Sequence, residues 1–330
     1  MRTSLKFAGL KFAGLKLAAC LMALLMVPAM AQPQQRKVYL DWAPKPDRLP
    51  EYTGVNRPIT RLADVLAKHK GQASWTEDVI ETERYSARWI SMAPGEKTRQ
   101  MFYGDDRTVW VVWGGKVRFR IYGQKPFVAS KGFLVQVPLR VPFSMETVGD
   151  EPSLRFEVTR GGTLPSYPAN EGEPMPPPRD GQHYVKVSYP PTPVAGGMDE
   201  YTEKNRPYMD FFKDLVEKYP TGGPRGGLFM GDHDNQAAII RGMGVPIPPA
   251  TNKGHFHIAN DEFWFILEGK IAYEMEGKGL IVGDAGDIVL ALPGRFHRAG
   301  WAPGQMDTRL AFNRSPTMQH NYAEDANGTQ

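Results

Sequence analysis

Cysteine is almost missing from this chain: 330 residues contain one, Cys20. Even that one falls inside the opening stretch "MRTSLKFAGLKFAGLKLAACLMALLMVPAMAQ", which runs from basic residues through an apolar stretch to Ala29-Met30-Ala31. That order is the pattern of a secretory signal peptide, so cleavage after Ala31 and a periplasmic or secreted mature protein are expected. Without cysteine, the mature chain has no disulfide and no thiol chemistry.

Long hydrophobic runs are lacking too. Residues 17–31 fall short of the ~20 apolar residues that span a bilayer, and Pro28 interrupts them. No stable membrane insertion is therefore expected after cleavage. Leu17-Ala18-Ala19-Cys20 is similar to a lipoprotein-processing box, but most of the apolar run follows the cysteine, which makes a lipid anchor at Cys20 the lesser reading. An excess of charge is the third absence. The opening holds four basic residues, Arg2, Lys6, Lys11 and Lys16, and no acidic one; taken from 40 Lys and Arg they leave 36, equal to the 36 Asp and Glu. A balanced mature chain gives no electrostatic argument for nucleic acid or an anionic membrane surface as a partner; a small-molecule substrate is expected, with homo-oligomerisation open. No twin-arginine pair marks the opening, so folding and metal capture outside the cytoplasm are expected.

What is present is β pattern, twice. After a mixed extension over residues 32–75, with a short helix expected near 59–69, residues 76–162 are rich in β-branched and aromatic residues. "RTVWVVWGGKVRFRIYG" reads as two strands about the turn Gly114-Gly115. A Pro/Gly-rich linker follows over 163–227, with an edge strand expected at "HYVKVSY" and an amphipathic helix at "PYMDFFKDLVEKYP" between Pro207 and Pro220. The β pattern resumes over 228–316, and residues 317–330 read as a flexible tail. A shift of 154 residues lays "MFYGDDRTVWVVWGGKVRF" on "HFHIANDEFWFILEGKIAY", Gly115 on Gly269, and "RFEVTRG" on "RLAFNRS". Two copies of one β-rich domain follow.

The chemistry lies in the second copy. His255 and His257 alternate with Phe256, so on a strand both imidazoles face one way. Glu262 stands five residues on, ahead of "FWFILE" and Gly269, and His297 stands forty residues past His257. If this half closes into a small barrel, three imidazoles and a carboxylate meet at one interior point. That donor set suits a divalent transition metal with one or two positions left for water or substrate.

These residues resemble the cupin superfamily. Its first motif, G-x5-H-x-H-x3-4-E-x6-G, is matched by His255, His257, Glu262 and Gly269, with Pro249 at the leading glycine; its second is matched more loosely by Gly286, Pro293, Gly294 and His297, with Trp301 near the place of an asparagine. The resemblance implies an all-β fold of two cupin-type β-barrels (double-stranded β-helix or jelly roll) with a few short helices. It makes His255, His257, Glu262 and His297 the ligands of one divalent transition metal, with iron or manganese favoured and copper, zinc or nickel open. In the first copy Met101, Tyr103, Thr108 and, with one residue of slip, Pro142 take the ligand positions, so that barrel is expected to be structural. Arg295, two residues before His297, is a candidate anchor for an anionic substrate if its segment is extended. His69, His183, His233 and His320 lack companions and are expected to be solvated or locally bonded, and "DHD" at 232–234 reads as a cap.

The activity implied is that of a metal-dependent dioxygenase or related oxidoreductase acting on a small aromatic or carboxylated compound. An oxalate-decarboxylase-like enzyme is the alternative within the family; those bicupins are similar to one another in an arginine three residues before the first histidine, where this chain has Asn252. A non-catalytic periplasmic cupin that binds a metabolite or metal is the alternative of another class.

Overall fold

Two six-stranded antiparallel sheets dominate a computed structural model of the chain, which describes residues 40–179, 181–203, 205–221, 226–244, 253–301, 304–314 and 319–324. The expected signal peptide with Cys20, together with Pro249 and Asn252, lies outside these residues. All that follows belongs to the unit Ala43–Gln330.

In the first half the large sheet runs Tyr208–Asp210, Phe133–Val137, Thr108–Gly114, Ser153–Thr159, Ser86–Met92, Trp75–Glu81. A three-stranded sheet, Phe127–Ala129, Val117–Ile121, Phe143–Thr147, covers one of its faces. In the second half the large sheet runs Ile59–Thr60, Ile288–Ala291, Glu262–Glu268, Asp307–Arg314, Asn235–Gly242, Gly226–Gly231. Its covering sheet runs Gly279–Asp284, Lys270–Met275, His297–Trp301, His255–Phe256, Asn321–Tyr322. The repeat is therefore real at the level of strands: Thr108 and Glu262, Phe143 and His297, Ser153 and Asp307 each begin strands 154 residues apart. The slip inferred for the last ligand disappears. Met101 bridges Phe143 as His255 pairs with His297, so Phe143, not Pro142, occupies the position of the third histidine.

The turn glycines explain why the repeat is legible there. Gly115 and Gly269 have φ of 61° and 76°, and a Cβ would run into the Pro152 carbonyl at the first and the Asp307 carboxylate at the second. The strands are legible for a different reason. Trp110 and Val112 face the interior of the first barrel while Val109 and Val111 face outward, and that outward face is covered by the other half. Phe263 and Phe265 lie against Tyr85, Trp89 and Phe156, with ring centroids 4.9–6.4 Å apart. A strand buried on both faces reads as a continuous apolar run, which is why "TVWVVW" and "FWFIL" do not alternate. The largest core of the molecule is this seam between the two big sheets.

Neither half completes its own large sheet. Ile59–Thr60, from the segment before the first barrel, edges the second barrel's sheet, with Ile59 opposite Val289. Tyr208–Asp210, from the segment before the second barrel, edges the first, with Tyr208 opposite Val135. The extension and the linker are thus parts of the barrels. The short helix forms at Leu62–Lys68, and Asp287 of the second barrel accepts from the Leu62 amide at 3.0 Å, tying down its first turn.

Three expectations are corrected. The segment read as a helix near 208–219 is a strand followed by a five-residue π-helical turn, Phe212–Val216. Pairing with the open edge at Phe133–Val137, together with the Phe211 amide bonded to the Gly132 carbonyl, outweighs its helical pattern. "HYVKVSY" forms no ladder among the described residues, and Val185 and Val187 are exposed. The tail is not loose where it is described, because Asn321–Tyr322 pairs with His255–Phe256.

Candidate metal centre

Glycine admits the first ligand strand. Gly254 has φ of 75°, and a Cβ there would collide with the His297 carbonyl, so only glycine lets His255 pair directly with His297. Phe256 turns away from the imidazoles and packs on Phe296 at 4.9 Å. Glu262 begins the next strand and, like Trp264 and Ile266, faces the barrel interior, opposite to Phe263 and Phe265.

The four donors converge. Oε2 of Glu262 lies 2.8 Å from Nε2 of His257, 3.0 Å from Nε2 of His297 and 3.4 Å from Nε2 of His255, and the His297 and His255 Nε2 atoms are 3.0 Å apart. Donors held about 2.0–2.2 Å from one ion sit about 3 Å from each other, so the spacing fits a shared cation. Tautomers strengthen the case. His257 Nδ1 is 2.9 Å from the Gln319 carbonyl and His297 Nδ1 is 2.9 Å from the Arg295 carbonyl. A carbonyl only accepts, so each Nδ1 carries the proton and each Nε2 turns a lone pair inward. Lone pairs facing a carboxylate oxygen at these distances repel unless a cation lies among them. The residues fit a divalent metal on the chemistry of the donor set alone.

The electrostatics agree. Burial, then the neighbouring His297, pull His255 down from 6.5 to about 3, so it is neutral at physiological pH. Burial alone would raise Glu262, but the three imidazoles of His255, His257 and His297 around it outweigh that and hold the carboxyl well below its ordinary value. A neutral His255 beside an ionised Glu262 is what a metal needs. Behind them Asn313 Nδ2 donates to Glu262 Oε1 at 3.2 Å, and Asn260 Nδ2 donates to Asn313 Oδ1 at 3.3 Å, fixing the carboxylate plane.

His255, Glu262 and His297 open onto a cavity of about 150 Å³, smaller than the usual pocket for a drug-sized ligand. Trp264, Ile240, Ala299 and Ala311 give it apolar walls, and Arg309, Asn313 and Gln236 give it polar ones. Arg309 is 7% exposed, stacks over Trp301 at 5.0 Å, and has no hydrogen-bond partner for Nε or Nη1.

Arg295 is placed elsewhere. Its segment is a turn, not extended: Gly294 has φ of 77° and its amide donates to the His257 carbonyl at 2.7 Å, so the side-chain alternation assumed for Arg295 fails. Arg295 Nη1 donates to the Glu276 carbonyl, Nη2 donates to the Pro50 carbonyl, and the guanidinium lies over Tyr52. It is absent from the cavity wall, while its own carbonyl orients His297. His320 also departs from expectation. Its ring lies 4.4 Å from that of His255 and 4.7 Å from that of His257, carried there by the returning tail. Asp232 accepts from the Asp234 and Asn235 amides, as a cap would, and also from Arg107 at 2.7 Å.

Arg309 and Asn313 could have been found earlier. In "DTRLAFNR" positions 309, 311 and 313 share one face, so two polar residues alternate with core residues Leu310 and Phe312 in a buried strand. No such signal existed for His320 or Gln319.

No protein-family profile matches the chain, and no curated protein matches it in sequence. Solved structures do. A salicylate 1,2-dioxygenase from Pseudaminobacter salicylatoxidans superposes over 80% of this chain and 85% of its own, with a TM-score of 0.54 at 12% identity. A cupin 2 conserved barrel domain protein from Leptotrichia buccalis superposes over 78% and 96%, with a TM-score of 0.51 at 10% identity. The chain has the cupin fold. Both cupin barrels are present, and the His-His-Glu-His group that could bind a metal lies in the second.

Proposed function

We propose that this bicupin is an exported metal-dependent enzyme whose second barrel carries out dioxygenase-type oxidation of a small aromatic or carboxylated compound. The observation that carries this reading is the pairing, in one small cavity, of an open His/Glu donor set with the buried guanidinium of Arg309, whose Nε and Nη1 lack a hydrogen-bond partner. The similar fold of a salicylate dioxygenase, whose name gives an aromatic carboxylate as substrate, supports the same class. The basic-then-apolar opening with Ala29-Met30-Ala31 supports export.

His255, His257, Glu262 and His297 would hold the ion, with iron or manganese favoured. Bound there, it would supply an oxygen-binding redox centre and a Lewis acid. The chain's own residues do the rest. Arg309 offers parallel N–H donors to a carboxylate, an arrangement that fixes orientation as well as charge. Trp264 and Ile240 exclude water and present flat apolar surface to a ring. Asn313 holds the Glu262 carboxylate in one orientation.

The test is elemental analysis of protein isolated from its native compartment, followed by oxygen consumption with hydroxybenzoates, catechols and small keto and dicarboxylic acids. One metal per chain and oxygen uptake with an anionic substrate are expected. His257→Ala should remove both, and Arg309→Met should raise KM more than it lowers kcat. Tight ligand binding without turnover under any metal would replace the enzyme with a periplasmic binding protein.

A further inference from the structure

The first barrel has lost the donors but kept the arginine. Arg155 stands 154 residues before Arg309, on the matching strand and on the face turned into the first barrel. It is 2% exposed, and its Nε and Nη1 have no hydrogen-bond partner. Nη2 reaches the Met92 sulfur at 2.9 Å, a weak acceptor. Burial, the largest effect, lowers Arg155 to about 10, so it remains a cation at neutral pH.

The carboxylates nearby are committed to other groups. Glu157 accepts from Arg88 through Nε and Nη2 at 2.9 and 2.7 Å, and from Trp110 Nε1 at 2.8 Å. Glu96 accepts from Ser74 Oγ at 2.6 Å and from the Ala93 amide at 2.9 Å. No ion pair to Arg155 exists among the described residues. Glu157 and Glu96 share the cavity wall with Arg155 and act on it through space, but their hydrogen bonds go elsewhere, so the buried guanidinium is an incomplete pair.

The cavity it faces, about 380 Å³, is larger than the one beside the metal centre. Its walls include Met101 and Tyr103, the residues that replace His255 and His257, with Ile90 and Met145 beside them. Loss of the donors therefore left a chamber in which Met101, Ile90 and Met145 form an apolar part, while Arg88, Arg155 and Arg179 stand against the two carboxylates Glu96 and Glu157.

We propose that the first barrel binds a small organic monocarboxylate without metal, its carboxyl group on Arg155 and its apolar body among Met101, Tyr103 and Met145. A ligand with one ring fits both the charge and the apolar walls.

Benzoate is the probe, titrated calorimetrically into the full mature chain carrying Arg309→Met, so that the second barrel's guanidinium does not contribute. One site per chain is expected. Adding Arg155→Met should weaken it at least about tenfold, as removal of a buried charge partner does, and benzyl alcohol, which lacks the charge, should not bind. If the Arg155→Met chain does not fold, Met101→Trp in the Arg309→Met background decides the matter, because it keeps the charge and fills the chamber; it too should abolish binding. Benzoate binding unchanged by both substitutions, or no binding of benzoate to the Arg309→Met chain, would overturn the proposal.

Discussion

At the scale of single residues, the candidate metal centre was legible because its spacing is local. His255, His257 and Glu262 lie within eight residues, and strand alternation fixes where two of them point. Alternation failed at Arg295 because Gly294 breaks the extended backbone three residues before His297. The depressed value of His255 has a measurable consequence. A histidine at 6.5 when unfolded and about 3 when folded takes up protons only in the unfolded chain over that window. Its contribution to stability is complete above pH 6.5 and is lost as pH falls from 6.5 towards 3. The metal-free protein should therefore show a midpoint of thermal unfolding that drops through this range, and His255→Gln should flatten the drop. A profile identical in both proteins would remove His255 as the cause.

At the scale of elements, the repeat located the strands but not what was exchanged between them. The strands of both barrels sit at the shift the sequence displays, since turn glycines and doubly buried runs mark them. The edge strands Ile59–Thr60 and Tyr208–Asp210 were invisible because each is completed by a partner far along the chain. The tail was invisible for the same reason, although it carries the carbonyl that orients His257. A chain ending at Arg314 should still fold, since both large sheets and all four donors remain. It should bind metal about 10–100-fold more weakly, as loss of a partner behind a ligand does. Metal competition with a chelator measures this, and an unchanged affinity would show that the Gln319 carbonyl is dispensable.

At the scale of the molecule, the seam between the large sheets should make the two barrels unfold together. Apolar contact is joined by charge: Arg314 of the second half forks onto Asp106 of the first at 2.8 and 3.1 Å, and Arg107 of the first reaches Asp232 of the second at 2.7 Å. Buried pairs of this kind contribute little net stability, because desolvation offsets their attraction, but removing one partner is costly. Trp89, fully buried against Phe156 and Phe265, should cost about 3–5 kcal/mol when cut to alanine. Urea unfolding should remain a single transition, and hydrogen exchange should quicken in Glu262–Glu268 as well as in Ser86–Met92. Protection lost only in the first half would mean that the barrels are coupled weakly.

The exchanged edge strands also impose an order in time. Ile59 is made early and its partner Val289 late, so throughout synthesis the second barrel's edge strand exists long before the sheet it will join. The last strand pairing among the described residues, Tyr322 with His255, lies at the candidate metal centre. A chain emerging from its N-terminus thus completes its metal-competent barrel only when almost all of it has arrived. An ion bound there would then be chosen by the surroundings of the finished chain rather than of the growing one.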